Sequence, residues 1–198
     1  TTKEATSLFN KKLQKPWSEI SKQGLLELSS LITNRVVVSD EDFQVDFNEK
    51  IDIITENLQD MSQHLHQPLY KKFLSIFSRD LVPHFIQSFF GKNFEKPKSQ
   101  TDFANQVTHE CNALSQGVRN LHPNLCKSAI TALDAFRDFM IEPYEDLHEI
   151  FHIIAKEYND FNPNLAIALV RIRVDSKDNK SEIPEVMNGF EMMYKYVD

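Results

Sequence analysis

The residues with the most recognisable chemical pattern are His148, Glu149 and His152, which match the zinc-peptidase motif H-E-x-x-H. On a helix, two histidines four residues apart share a face and can bind zinc, while the glutamate can act as a general base. The context argues against this chemistry. The two histidines flank the apolar stripe of their helix, and Glu149 faces away from it. Ala155 and Tyr158 stand where metzincins have glycine and histidine. We therefore interpret His148 and His152 as boundary residues of a surface helix.

Other candidate nucleophiles have no partners at a recognisable spacing. Ser29, Ser30, Cys111 and Cys126 lack a paired base and the glycines of an oxyanion hole, because the chain contains only four glycines. His109 precedes Cys111 by two residues, which places the two side chains on different helix faces. We expect both cysteines to be free, buried thiols. The sequence thus predicts no catalytic residue, no metal ligand, no cofactor and no enzymatic activity.

Arg171 and Arg173 interrupt an apolar run over residues 165–174. Helical spacing predicts an apolar stripe with Arg173 at its edge and Arg171 facing outward. The stripe consists of Leu165, Ala168, Leu169 and Ile172. We interpret Arg173 as a structural residue that pairs with Asp175 or with a helix C-terminus. A role in binding a partner is the alternative for both arginines.

The charge of the chain argues against binding to phosphate backbones or anionic lipid, because its net charge is −7 and its pI is near 5.5. Two lysine clusters are interpreted as solvated surface, with a local basic patch as the alternative. They are Lys11, Lys12 and Lys15, and Lys92, Lys96 and Lys98. No apolar run approaches the roughly 18 residues of a membrane span, and no signal peptide is expected. Because the chain begins with Thr1 rather than methionine, we expect a fragment of a longer protein.

Amphipathic patterns predict an all-α fold of about eight helices, in an elongated stack of antiparallel bundles. The predicted helices cover residues 4–37, 40–66, 68–90, 98–121, 123–141, 144–159, 162–174 and 183–197. The third should be the most buried, and Pro83 should kink or break it. Asn162 and Pro163 predict the start of the seventh. A charged loop is expected over residues 175–181. A linker over residues 91–97 would separate an N-terminal bundle (1–92) from a C-terminal bundle (98–198), packed end to end as one rod-like unit.

The second predicted helix has the clearest apolar stripe, with heptad-like spacing. Its members are Phe43, Phe47, Ile51, Ile54, Leu58, Met61 and Leu65. This spacing predicts an extended seam against a neighbouring helix. The pattern leaves open whether the seam is internal or joins two copies in a homodimer.

Residues 158–178 resemble the C-terminal signature of the exocyst Sec-six subunit (exocyst complex component three). Tyr158 and Asp160 supply its tyrosine-plus-acidic turn, an aliphatic helix follows, and Arg173 and Asp175 supply its arginine–aspartate pair. Val174 stands where animal members commonly have glycine, which favours a fungal member. The order of the preceding elements is similar too, with a Pro-Leu-Tyr-Lys-Lys stretch at 68–72, a polar amphipathic helix at 98–120 and a cysteine-initiated helix at 126–139.

The resemblance implies a C-terminal portion of a rod-shaped, non-enzymatic subunit of a vesicle-tethering complex. Such a subunit docks secretory vesicles at the plasma membrane through other exocyst subunits and through SNARE or SNARE-regulator proteins. It implies a cytoplasmic protein, peripheral at sites of secretion. The family supplies no catalytic residues to carry over. A generic helical adaptor is the alternative, and a zinc-dependent peptidase acting through His148, Glu149 and His152 is a more distant one.

Overall fold

The computed structural model describes residues 41–90, 99–158 and 160–194. Within these ranges the chain forms seven α-helices and no strand. The helices are α1 (Glu41–His64), α2 (Gln67–Ser88), α3 (Gln100–Leu121), α4 (Lys127–Ile141), α5 (Leu147–Glu157), α6 (Pro163–Ile172) and α7 (Ile183–Tyr194). Short 3-10 turns over Tyr144–Asp146 and Val174–Lys177 precede α5 and follow α6. The all-α prediction is confirmed. The predicted helix at 4–37, the predicted linker and both lysine clusters lie outside the described residues.

Two helices begin at side-chain caps that the local sequence supplies. The Ser99 hydroxyl accepts a hydrogen bond from the Asp102 amide at the start of α3. The Asn162 side chain accepts hydrogen bonds from the amides of Asn164 and Leu165, at 3.1 and 3.2 Å, and Pro163 occupies the first turn of α6. These bonds satisfy amides that have no partner within the helix. The predicted start at Asn162 and Pro163 is confirmed.

Helix α2 runs without a break through Pro83, so of the predicted kink or break the break does not occur, and the kink stays a prediction. The ring removes one backbone donor, yet Val82 and Phe85 on either side are fully buried. Tertiary packing of these neighbours outweighs the local cost of the proline. The His84 side chain adds a local contact, because its Nδ1 lies 2.7 Å from the Asp80 carbonyl oxygen.

The apolar stripe of α1 packs on the core and against α3, as its spacing predicts. Phe47, Ile51 and Leu58 are buried, and Ile54, Met61 and Leu65 are partly buried against the same core; the side chain of Phe43 lies outside the described residues. At the crossing with α3, a Cβ added to Gly117 would lie 2.9 Å from Ile51 Cγ2 and 3.0 Å from Thr55 Oγ1. The two helices approach this closely because glycine has no side chain there. This part of the seam is therefore internal, and a homodimer stays a prediction.

Phenylalanine rings from several helices form a continuous network around two hubs. The ring centroid of Phe136 lies 5.6, 5.4 and 5.6 Å from those of Phe85, Phe89 and Phe139. The ring centroid of Phe151 lies 5.5, 5.7 and 5.5 Å from those of Phe139, Phe161 and Phe190. Edge-on and tilted ring pairs at such distances are favourable beyond the area they bury. The network ties α2, α4, α5 and α7 together.

Burial is shared more evenly among the helices than the sequence suggests. Helix α2 buries ten of its 22 residues, and α4 buries seven of its 15. By number of buried residues α2 is the most buried of the described helices, as expected for the third predicted helix, while α4 buries a similar fraction of its length. Helices on both sides of residues 91–98 contribute to one hydrophobic cluster. The division into two bundles and the elongated stacking stay predictions.

The buried face of α6 differs from the predicted stripe by about one residue. Ala166, Leu169 and Val170 are buried, while Leu165 and Ile172 are only partly so. Arg173, predicted at the edge, lies in line with this buried face and is itself buried at 4% exposure. The predicted charged loop over residues 175–181 lies between α6 and α7, and it begins within the 3-10 turn Val174–Lys177. Every helix within the described ranges is too short or too polar to cross a bilayer.

Candidate functional site

The most elaborate polar arrangement of the described residues surrounds Arg173. Its Nε donates to Asp175 Oδ1 at 3.0 Å, and its Nη2 donates to Asp175 Oδ2 at 2.7 Å. Its Nη1 donates to the carbonyl oxygens of Phe139 and Glu142, at 3.0 and 2.9 Å. Both carbonyls lie at the C-terminal end of α4, where helix carbonyls have no partner within the helix. A two-pronged bond to a carboxylate is the geometry that guanidinium favours.

Aromatic and polar neighbours complete this arrangement, which we call the Arg173 junction (Arg173, Asp175, Tyr144, Phe139 and Glu142). The guanidinium carbon lies 4.5 Å from the ring centroid of Tyr144 and 5.8 Å from that of Phe139. The Tyr144 hydroxyl donates to Asp175 Oδ1 at 3.1 Å. Arg173 thus meets both structural partners predicted for it, Asp175 and a helix C-terminus. Arg171 is exposed, and its role in binding a partner stays a prediction.

Three tyrosines are held in their neutral form by the core. Burial is the main cause that raises the pKa of Tyr70, Tyr144 and Tyr158. Asp175 raises the pKa of Tyr144 further, although Arg173 opposes this, and Glu157 and Asp80 raise that of Tyr158. The Tyr158 hydroxyl donates to the Ser78 carbonyl oxygen in α2 at 3.2 Å. Two residues of the family-like signature, Tyr158 and Arg173, therefore serve to join helices.

We expect the protein to lose stability above about pH 10, where exposed tyrosines ionise in the unfolded chain. Because the pKa of Tyr158 is raised in the folded state, its contribution is complete below that pH and is lost as the pH rises towards the folded value. Urea unfolding between pH 8 and 11, compared with Tyr158→Phe, measures this. The variant should lose less stability per pH unit than the parent, since phenylalanine does not ionise. Equal slopes would contradict the prediction.

The H-E-x-x-H residues lie on the outer part of α5, beside α7. His148 Nδ1 lies 2.8 Å from the Glu145 carbonyl oxygen, and its ring packs on Gly189, where an added Cβ would lie 3.2 Å from His148 Cγ. His152 is half-buried, and Glu149 is exposed. No three His, Cys, Asp or Glu side chains in the described part of the chain are placed to hold a metal ion. The structure therefore places both histidines at the boundary of the core.

Replacing His148 and His152 together with alanine should change stability by about 1 kcal/mol or less and should leave metal content unchanged. The reason is that both side chains lie at the boundary of the core, where little area is lost. Metal analysis of protein purified in metal-free buffer, with urea unfolding, measures both quantities. Stoichiometric zinc in the parent that disappears in the double variant would contradict this interpretation.

The remaining candidate nucleophiles have structural positions where the structure describes them. Cys111 and Cys126 are buried thiols outside any disulfide of the described residues, as predicted. Burial raises the pKa of the Cys126 thiol, which keeps it protonated and unreactive. Cys126 also stands at the N-terminal boundary of α4. Ser29 and Ser30 lie outside the described residues.

Sequence reasoning did not single out the outer face of α1. Glu49, Asp52 and Glu56 lie there together with Ile53, whose side chain is 50% exposed. Asn48 borders the same open surface and is also exposed. The sequence feature that could have indicated this face is the spacing of the three carboxylates, which places them opposite the apolar stripe of the same helix.

The described fold is a helical bundle in which the most elaborate polar cluster serves to join helices, an organisation typical of scaffold and interaction proteins. Residues 47–178, about two thirds of the chain, match the family model described as exocyst complex component Sec6. The chain belongs to this family and is an exocyst component of the exocytosis machinery. No curated protein and no solved structure gave a match. The family resemblance is confirmed, and a fungal origin stays a prediction.

Proposed function

We propose that this chain tethers secretory vesicles at the plasma membrane as a non-enzymatic part of the exocyst. It would act through contacts with other exocyst subunits and with SNARE or SNARE-regulator proteins, on the cytoplasmic side at sites of secretion. The family match over residues 47–178 is the observation that carries this proposal.

The use of polar residues within the fold supports a role in protein–protein contact. Arg173, Tyr144 and Tyr158 are engaged in joining helices. The apolar cavity between α1, α2 and α3 has a volume of about 10 Å³, which leaves room for one water molecule at most. Binding would then use exposed helix faces, which suits a subunit that is held between other proteins.

Direct binding to purified partners tests this proposal. The tagged chain is incubated with the other exocyst subunits, prepared individually, and separately with plasma-membrane SNARE proteins. We expect specific retention of at least one exocyst subunit, and retention of a SNARE protein would support the finer part of the proposal. The tag alone and an unrelated acidic helical bundle of equal charge serve as controls against charge-driven capture.

Retention no greater than in these controls would contradict a tethering role for this chain. Retention of exocyst subunits without any SNARE protein would support the contacts within the complex and contradict the SNARE contact. Circular dichroism of the tagged chain, recorded beside each assay, establishes that the helices are formed.

A further inference from the structure

The outer face of α1 combines negative charge with an exposed apolar centre. Glu49, Asp52 and Glu56 surround Ile53, which is half exposed. Such a face offers apolar area for packing and carboxylates for pairing with lysine or arginine. It therefore suits a basic amphipathic segment.

Helix α1 as a whole is strongly acidic. Its seven carboxylates are Glu41, Asp42, Asp46, Glu49, Asp52, Glu56 and Asp60, whereas Lys50 is its one lysine and arginine is absent. The apolar stripe of this helix already packs on α3 and the core. The acidic outer face has no such cover among the described residues, since Glu49, Asp52 and Glu56 are all exposed.

The opposite charge lies in the residues that precede α1 in the chain. Residues 1–22 contain five lysines and two glutamates. Lys11, Lys12 and Lys15 form the cluster, and the apolar residues Leu13 and Trp17 lie beside it. The composition of this segment thus complements that of the α1 face in both charge and apolar content.

We propose that residues 8–22 dock on the acidic outer face of α1. In this docking, Lys11, Lys12 and Lys15 pair with the carboxylates of that face. The apolar side chains beside the lysines, Leu13 and Trp17, cover Ile53. The connection is long enough, because Glu56 lies only about 22 Å along α1 from its first residue. The 25 residues between Lys15 and Glu41 span this distance even where they are helical.

The docking depends on several exposed ion pairs acting together. Each exposed pair contributes little alone and is screened by salt. Each charge removed from the lysine cluster or from the acidic face should therefore weaken the docking by a small amount. Restoring opposite charges on the two surfaces should restore the docking. This distinguishes docking through the acidic face from a purely apolar contact.

Cysteine cross-linking in the full chain tests this placement. Lys15→Cys is combined with Asp52→Cys on α1, and in a control with Glu149→Cys, an exposed acidic residue on α5. Cys111 and Cys126 are buried and stay in both variants. Under mild oxidation, the intramolecular disulfide should form at least about tenfold faster in the first pair. Peptide mapping by mass spectrometry identifies the product.

Charge reversal supplies the second readout. In the protein that carries Lys15→Cys and Asp52→Cys, adding Lys11→Glu and Lys12→Glu should reduce the rate of disulfide formation to that of the Lys15→Cys and Glu149→Cys control. Adding Glu49→Lys and Glu56→Lys should restore it. Equal rates for the two cysteine pairs, disulfide-linked dimers in place of the intramolecular product, or a rate indifferent to charge would overturn the proposal. Circular dichroism checks that each variant keeps its helices.

Discussion

Replacing Phe85 with alanine should lower the free energy of unfolding by about 3–5 kcal/mol. The Phe85 ring is fully buried and contacts two other rings, with centroids 5.3 Å from Phe89 and 5.6 Å from Phe136. Its removal takes apolar area out of the core and leaves a cavity between α2 and α4, which packed neighbours fill only in part. Urea unfolding followed by circular dichroism measures the loss.

Phe90→Ala is the matched control, because the same residue type lies five positions further along, at 42% exposure. This substitution removes the same atoms from a site that already contacts water, so we expect a loss of about 1 kcal/mol or less. A loss below about 1 kcal/mol for Phe85→Ala would mean that the ring network is not the centre of the core. Equal losses for the two variants would contradict the burial described for them.

Replacing Arg173 with methionine should destabilise the protein by about 3 kcal/mol, near the lower end of the range for breaking a buried ion pair. The variant leaves the carbonyl oxygens of Phe139 and Glu142 without their Arg173 donor, and the Asp175 carboxylate keeps only the Tyr144 hydroxyl. Buried acceptors that lose their partner incur a desolvation cost that the apolar methionine does not offset. The lower end applies because the Asp175 side chain retains some contact with water. Urea unfolding measures the change.

Arg171→Met provides the control two residues away on the exposed side of α6, where we expect a change of about 0.5 kcal/mol or less. Arg173→Lys keeps the charge but lacks the planar fork, so it should recover only part of the loss. Full recovery of stability in Arg173→Lys would show that the positive charge alone stabilises the junction, without the planar guanidinium. A loss below about 1 kcal/mol for Arg173→Met would contradict a structural role for the junction.

Helical stripes were predictable because side chains that share a face recur every three or four residues. The apolar stripe that His148 and His152 flank illustrates this, since its members are all buried: Leu147, Ile150, Phe151, Ile154 and Tyr158. The cap at Asn162 was predictable for a similar reason, because it depends only on residues within one turn. Local periodicity and local hydrogen bonding both depend on residues that are close together in the sequence, so both can be predicted from it.

Features that depend on distant residues were not predictable in the same way. Of the kink or break expected at Pro83, the break is absent because packing of the buried residues Val82 and Phe85 holds α2 together. The burial of Arg173 at the end of α6 accompanies its bonds to backbone carbonyls more than 30 residues earlier in the chain. A backbone carbonyl is present at every residue, so no pattern of side chains marks which one will accept a hydrogen bond.

The Arg173 side chain alone joins three segments of the chain. One guanidinium holds the end of α4 through two carbonyls, the 3-10 turn after α6 through Asp175, and the ring of Tyr144 before α5. Opening any one of these segments removes partners from the other two. The three segments therefore do not fray independently of one another. The last turn of α4 and the turn at Val174–Lys177 should consequently open as one cooperative unit in hydrogen exchange, although they are far apart in sequence.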